Sequence, residues 1–169
     1  MKSLYLLRHG KSDWGADFFY DVDRPLAKRG RNAADRLGRY FAITDNSLDR
    51  TVTSPAVRAL RTADRFLEAS GSKAPMTIDD RLYGGDETTV LEVASEQANS
   101  VHSLLLVGHE PTWSETASLL IGGGDLRFPT AALARIDLHI NEWGEIGRDV
   151  GELVWFVTPR LLKPLLKRS

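Results

Sequence analysis

The chain has 169 residues, ordinary for one domain with a full core, and residues 1–169 are expected to form a single domain. Its net charge of -1 gives no general attraction to nucleic acid or to an anionic membrane, and the absence of cysteine excludes disulfides, thiol catalysis and a cysteine-ligated metal. The start carries no signal-peptide pattern, since the apolar run after Lys2 ends at Arg8, and no apolar stretch is long enough to span a bilayer, so a cytoplasmic protein is expected.

Leu4-Tyr5-Leu6-Leu7 reads as a short strand buried on both faces, and it stops at Arg8-His9-Gly10-Lys11-Ser12. A glycine there permits a tight turn and close approach of backbone to a ligand. In open α/β sheets, ligands bind just past the carboxyl ends of strands, so an arginine and a histidine arrive together where such folds do chemistry. Arginine offers a planar fork of donors to phosphate oxygens, and a neutral histidine can present a ring nitrogen as nucleophile. Taken alone, the pair reads equally well as a polar surface turn.

Residues 12–23 read as a loop with Trp14, Phe18, Phe19 and Tyr20. These aromatics are expected to cap the core beneath the loop; the alternative is a docking rim or pocket wall. A helix follows over 27–41, with Ala33, Ala34, Leu37, Tyr40 and Phe41 on one face. Arg24, Lys28, Arg29, Arg31, Arg36 and Arg39 make this region basic. The expectation is a solvated helix face, and the alternative a surface that attracts an acidic partner.

A short strand is expected over 49–53 and a helix over 55–69, with Ser54 as N-cap and Pro55 in the first turn. Arg58 then lies near a helix N-terminus, where anions are favoured. Arg61, one turn on, reads as structural or solvent-facing. Residues 76–78 are a weak strand, 79–87 a loop containing Gly84-Gly85, and 88–99 a helix. Leu104-Leu105-Leu106-Val107-Gly108-His109-Glu110-Pro111 repeats the opening design, a buried strand (101–107), a glycine and a histidine. A helix over 111–121 is closed by Gly122 to Gly124, and the strand 133–140 alternates apolar and polar residues. A turn-rich loop leads to a last strand over 153–157, expected to pair with the previous one as a hairpin. An amphipathic tail, 161–167, is expected to pack on the domain. Strands alternating with helices predict a three-layer α/β/α sandwich, its sheet mostly parallel with an antiparallel edge strand.

In that order, Arg8-His9-Gly10, the Ser54-Pro55, Arg58-Ala59 and Thr62-Ala63 string, and Gly108-His109-Glu110-Pro111 resemble the histidine phosphatase superfamily. The short chain, the sequence Arg8-His9-Gly10-Lys11-Ser12-Asp13-Trp14 and Asp23-Arg24-Pro25-Leu26-Ala27-Lys28-Arg29-Gly30 are similar to its small SixA-like phosphohistidine phosphatase branch. The resemblance implies the same three-layer, phosphoglycerate mutase-like fold.

It also implies roles. His9 is the expected nucleophile, forming a phosphohistidine that water hydrolyses. Arg8 and Arg58 are expected to clamp the phosphoryl oxygens, with His109 donating a further hydrogen bond as charge builds. Backbone N–H groups around Gly10 and the Ser12 hydroxyl complete the expected cradle. The wider superfamily places an acid after the third strand; here Asp86 is the candidate, with Glu87, Asp79 and Asp80 nearby and an exposed acidic loop as the alternative.

No cofactor is expected, and no His/Asp/Glu cluster has clear metal-ligand spacing, so no metal is expected either. His102 and His139 read as lying away from the site. Glu110 reads as orienting His109 or capping the next helix, and Lys11 as an electrostatic contributor or a solvated lysine.

An alkoxide leaving group needs a proton in the transition state, whereas the P–N bond of phosphohistidine is labile. A weak acid site and a short loop at 79–87 therefore point to phosphohistidine on a protein, such as a histidine phosphotransfer domain. A small phosphate ester and a phosphate-binding module without turnover are the alternatives. No nucleic acid or membrane partner is expected, and the chain is expected to be a monomer or weak dimer.

Overall fold

The computed structural model describes residues 1–163. One six-stranded sheet runs in the order β3-β2-β4-β1-β5-β6. Its strands are β1 (Lys2–Arg8), β2 (Arg50–Thr53), β3 (Met76–Ile78), β4 (Ser103–Gly108), β5 (Leu133–Leu138) and β6 (Gly151–Val157). The first four are mutually parallel, β5 is antiparallel to β1, and β6 is antiparallel to β5. The mostly parallel sheet with an antiparallel hairpin at one edge is as expected. The central strands are near-continuous aliphatic runs because both of their faces are covered.

Alternation along β1 and β4 shows the two faces. Leu4, Leu6, Leu104 and Leu106 pack with Val90, Val93, Trp113, Ala117 and Leu120. Those partners come from α3 (Glu87–Ser95) and α4 (Thr112–Leu120). Tyr5, Leu7, Leu105 and Val107 pack on the other face with Leu37, Phe41, Ala59, Ala63, Phe66 and Leu162. These belong to α1 (Lys28–Ala42), α2 (Val57–Ser70) and α5 (Pro159–Leu162). The result is a three-layer α/β/α sandwich with a core on each side of the sheet.

Most elements lie within a few residues of expectation. The largest shift is α3, expected over 88–99, which starts one residue early because the Asp86 carboxylate caps it by accepting from the Thr89 N–H at 2.9 Å. It ends at Ser95 rather than Asn99. Leu162 is buried, so the start of the expected C-terminal tail does pack on the domain; positions 164–167 of that tail lie outside the described residues. Among the described residues, no helix is long and apolar enough to cross a membrane.

Candidate active site

Strand register assembles the site. Leu7 pairs with Val107 and Arg8 with Gly108 across the parallel β1–β4 ladder. One residue further, both strands end, and both deliver a histidine. The His9 N–H donates to the Gly108 carbonyl at 3.0 Å, and the His9 carbonyl accepts from Ala131 at 3.0 Å. His9 is thus stitched between two strand ends, and its ring lies 5.1 Å, centroid to centroid, from that of His109. Strand β2 adds the third part, since Thr53 pairs with Val107 and the following residue, Ser54, reaches His109. Glycine at 108 is a packing requirement: a β-carbon there would sit 2.4 Å from the buried Trp113 ring of α4.

The two imidazoles differ in their partners. His9 is 7% exposed, and its Nδ1 lies 2.7 Å from the Gly10 carbonyl oxygen. A carbonyl only accepts, so Nδ1 carries the proton and Nε2 keeps its lone pair. Burial pushes the imidazole down to about 3, against the pull of the Gly10 carbonyl and with help from His109, Arg58 and Arg8. His109 Nε2 lies 2.8 Å from Ser54 Oγ. Its ring is pushed down to about 4, first by burial and then by the Arg58 charge. Both rings are therefore neutral at pH 7.

The cations surround them. Arg8, Arg24, Arg58 and Lys11 line one open pocket of about 570 Å³ with His9 and His109. Arg8 Nη1 donates to the Phe128 carbonyl at 2.6 Å. Arg58 donates through Nη1 to the Asp21 carbonyl at 2.7 Å and through Nη2 to Asp21 Oδ2 at 2.9 Å. The Nε atoms of both Arg8 and Arg58 are buried with no partner among the described residues. Buried guanidinium N–H groups without acceptors are costly, and both side chains line the pocket, where an anion would be favoured by their charge.

Asp21 is the hub that sequence reading passed over. Besides Arg58, it accepts from Arg24 Nη2 at 2.8 Å and from the Tyr83 hydroxyl at 3.0 Å. Burial raises its carboxyl, but Arg24, Tyr83 and the Arg58 charge outweigh that and hold it at about 2. It is a fixed anion that orients Arg58. The Arg24 guanidinium also donates to the Ser12 hydroxyl and stacks on Trp14, 3.7 Å above its ring. Tyr83 packs edge-on against His109, with centroids 5.6 Å apart.

Four expectations are corrected in detail. Ser54 does not cap α2, whose N-cap is Ala56; its hydroxyl instead accepts from the Ala56 N–H at 3.3 Å and meets His109. The Gly10 N–H is not open to a ligand, because it donates to Thr62 Oγ1 at 2.9 Å. Gly10 serves packing: a β-carbon there would come within 2.9 Å of the Gly30 carbonyl of α1. The aromatic loop does not cap the core, since Trp14, Phe19 and Tyr20 are largely exposed and Trp14 lines the pocket. Asp86 is exposed and absent from the pocket lining, and its Oδ1 holds both the Thr89 N–H and hydroxyl at 2.9 Å.

Glu87 faces a different cavity with Ser114 and Glu115. The carboxyl that does line the reaction pocket is Glu110. Its Oε2 accepts from Ser114 at 2.6 Å, its Oε1 is buried without a partner among the described residues, and burial raises its carboxyl. Ser12 is buried and lines the pocket. His102 and His139 are exposed and lie elsewhere. Among the described residues no group of three or more His, Cys, Asp or Glu side chains is arranged to hold a metal ion.

Residues 4–102 match the family model of the histidine phosphatase superfamily (branch 1). An uncharacterized protein of Mycobacterium tuberculosis is 35% identical over 164 residues, spanning 91% of this chain and all of that one. A solved SixA protein of Agrobacterium tumefaciens, assigned as a phosphohistidine phosphatase, superposes with a TM-score of 0.79 at 30% identity over 94% of this chain and 98% of its own. The protein histidine phosphatase SixA in complex with tungstate gives 0.81 at 23% identity over 95% and 99%, a likeness of fold.

Proposed function

The chain belongs to the histidine phosphatase superfamily (branch 1) and is a phosphatase, and we propose that it works through a phosphorylated His9 and takes its phosphate from phosphohistidine on a protein. The observation that carries this reading is the state of His9. Its ring is neutral, its Nδ1 proton is tied to the Gly10 carbonyl, and it shares one pocket with two guanidiniums whose Nε–H groups lack acceptors.

His9 Nε2 attacks phosphorus in line. The Nε2–P bond forms as the bond to the leaving nitrogen breaks, and the electron pair goes to the departing imidazole, which takes a proton from solvent in the open pocket. The phosphorylated His9 ring is cationic, and the Gly10 carbonyl stabilises its Nδ1–H. Water then attacks phosphorus, the Nε2–P bond breaks, and the neutral ring returns with phosphate released. Arg8 and Arg58 neutralise the oxygens throughout, which is most of what phosphoryl transfer asks of a protein. The Ser54 oxygen accepts from the Ala56 N–H and its proton is free to donate to His109 Nε2, and in that tautomer Nδ1–H is the ring's donor to a phosphoryl oxygen.

The substrate reading rests on the leaving group. The pocket is open, and the carboxylate after β3, Asp86, is occupied as a helix cap. Imidazole leaves phosphohistidine with less protonation than an alkoxide leaves an ester. The likeness to SixA supports the same class. A second reading, hydrolysis of small phosphate esters, is favoured by one observation: Glu110 lines the pocket with its carboxyl pushed towards the protonated form, a proton source for an ester oxygen. In both readings the cations neutralise the phosphoryl charge and His109 donates a hydrogen bond to it, without a metal, in a single domain acting as monomer or weak dimer.

Steady-state turnover of a phosphohistidine protein and of an aryl phosphate, in chelator, by wild type and His9→Ala tests this. Wild type is expected to turn over both, phosphohistidine faster, and the variant neither. Activity in the variant overturns the nucleophile, loss of wild-type activity in chelator overturns metal independence, and a faster aryl phosphate selects the second reading.

A further inference from the structure

Beside the reaction pocket runs a larger groove of about 1050 Å³. Lys28, Arg29 and Arg36 of α1 line one wall, Arg160 and Lys163 another, and Lys11 stands where the groove meets the pocket. Among the described residues, no aspartate or glutamate lines it. Among the described residues, none of these six cations makes an ion pair. In a chain of net charge -1, this is segregation of charge into one concave face. A solvated surface ordinarily intersperses both signs.

Two further features separate the groove from a merely basic helix face. Its lining includes the apolar side chains of Ala33, Pro129 and Pro159, so an occupant would meet aliphatic surface between the charges. Lys11 and Thr130 line both the groove and the reaction pocket, so the two are continuous. A phosphoryl group needs only the smaller pocket of about 570 Å³. The larger space is sized for something attached to it.

We propose that this groove binds an acidic segment of the protein substrate, adjoining the phosphorylated side chain that enters the pocket at His9. The proposal rests on the reading of that pocket as one that dephosphorylates a protein. Carboxylates on the segment would meet the cations of α1 and α5, and its aliphatic carbons the apolar lining. Charge complementarity of this kind selects partners and speeds encounter, and it weakens as salt rises.

The test uses two phosphohistidine peptides made with phosphoramidate, identical except that Glu and Asp flank the phosphorylated residue in one and Lys in the other. Wild type is expected to show a KM at least about tenfold lower for the acidic peptide at low salt, shrinking as salt is added. The variant Lys28→Glu/Arg36→Glu/Arg160→Glu is expected to lose that preference while hydrolysing aryl phosphate at the wild-type rate.

Equal KM values, or a preference for the lysine peptide, overturn the proposal. So does inhibition by a single-stranded oligonucleotide where the peptides show equal KM, which assigns the groove to nucleic acid. Fluorescence anisotropy of the same labelled peptides without phosphate reads the groove apart from catalysis. If no substrate is turned over, the His9 reading has failed, yet tighter binding of the acidic peptide still upholds the groove and equal binding overturns it. Both wild-type comparisons stand even where the triple variant does not fold.

Discussion

His9 is buried as a neutral imidazole, and that state has a measurable cost in acid. Its folded value lies at about 3 against 6.5 for an unperturbed ring, so between these values the unfolded chain binds the proton that the folded site refuses. The folded value is depressed and the group is a base. Stability is therefore full above pH 6.5 and is lost as pH falls from 6.5 towards 3.

At pH 4.5 the unfolded ring is protonated about 100 to 1 while the folded ring remains almost neutral, a linkage of roughly 3 kcal/mol relative to pH 7.5. His109, held at about 4, and the carboxylates add shares that are largely common to wild type and His9→Asn, and the part of the His109 share coupled to His9 counts with the His9 difference. Urea unfolding of both proteins at steps from pH 7.5 to 4.5 isolates the His9 share as the difference between their two losses. Wild type should lose about 2–3 kcal/mol more than the variant over that range. Parallel curves, within about 0.5 kcal/mol, would refute the buried neutral state on which the nucleophile argument stands.

Three other substitutions separate the roles assigned to the site. Arg58→Ala should lower kcat by roughly a hundred- to a thousandfold on any substrate, the scale for losing a preorganised donor; near-normal turnover rules out its clamp. Glu110→Gln should slow hydrolysis of an alkyl phosphate much more than that of phosphohistidine, and equal slowing removes Glu110 as a proton source. Asp86→Ala should lower the melting temperature by a few degrees, through loss of the α3 cap, with rates on both substrates unchanged. A drop in ester hydrolysis there restores Asp86 as the acid.

The parts of this molecule that the sequence displayed are those carried by contiguous residues. Leu4 to Leu7 and Leu104 to Val107 are aliphatic because they are covered on both faces, and the histidine after each follows from where a buried strand must stop. Arg58 was legible through its place in the first turn of α2. What stayed hidden depends on long-range contact. Asp21 sits in an exposed-looking loop 37 residues before Arg58, and nothing local marks it as the guanidinium's partner.

Ser54 carries the signature of an N-cap because a hydroxyl before a helix usually serves one, yet parallel pairing of β2 with β4 sets it against His109 instead. The aromatic loop resembles a core cap by composition alone; the Arg24 guanidinium stacked on Trp14 holds it at the pocket mouth. Asp86 illustrates the converse. A carboxylate three residues before a threonine at a helix start has a local use, and capping α3 takes it.

The central claim is a covalent phosphate on His9, and trapping it is the most direct measurement. A labelled phosphohistidine protein is mixed with enzyme, quenched in alkali within milliseconds to seconds, and the enzyme is digested and mapped. The account predicts alkali-stable, acid-labile label on the peptide containing His9, rising before product and absent from His9→Ala. Turnover with no labelled enzyme at any time, or label on another residue, would contradict it.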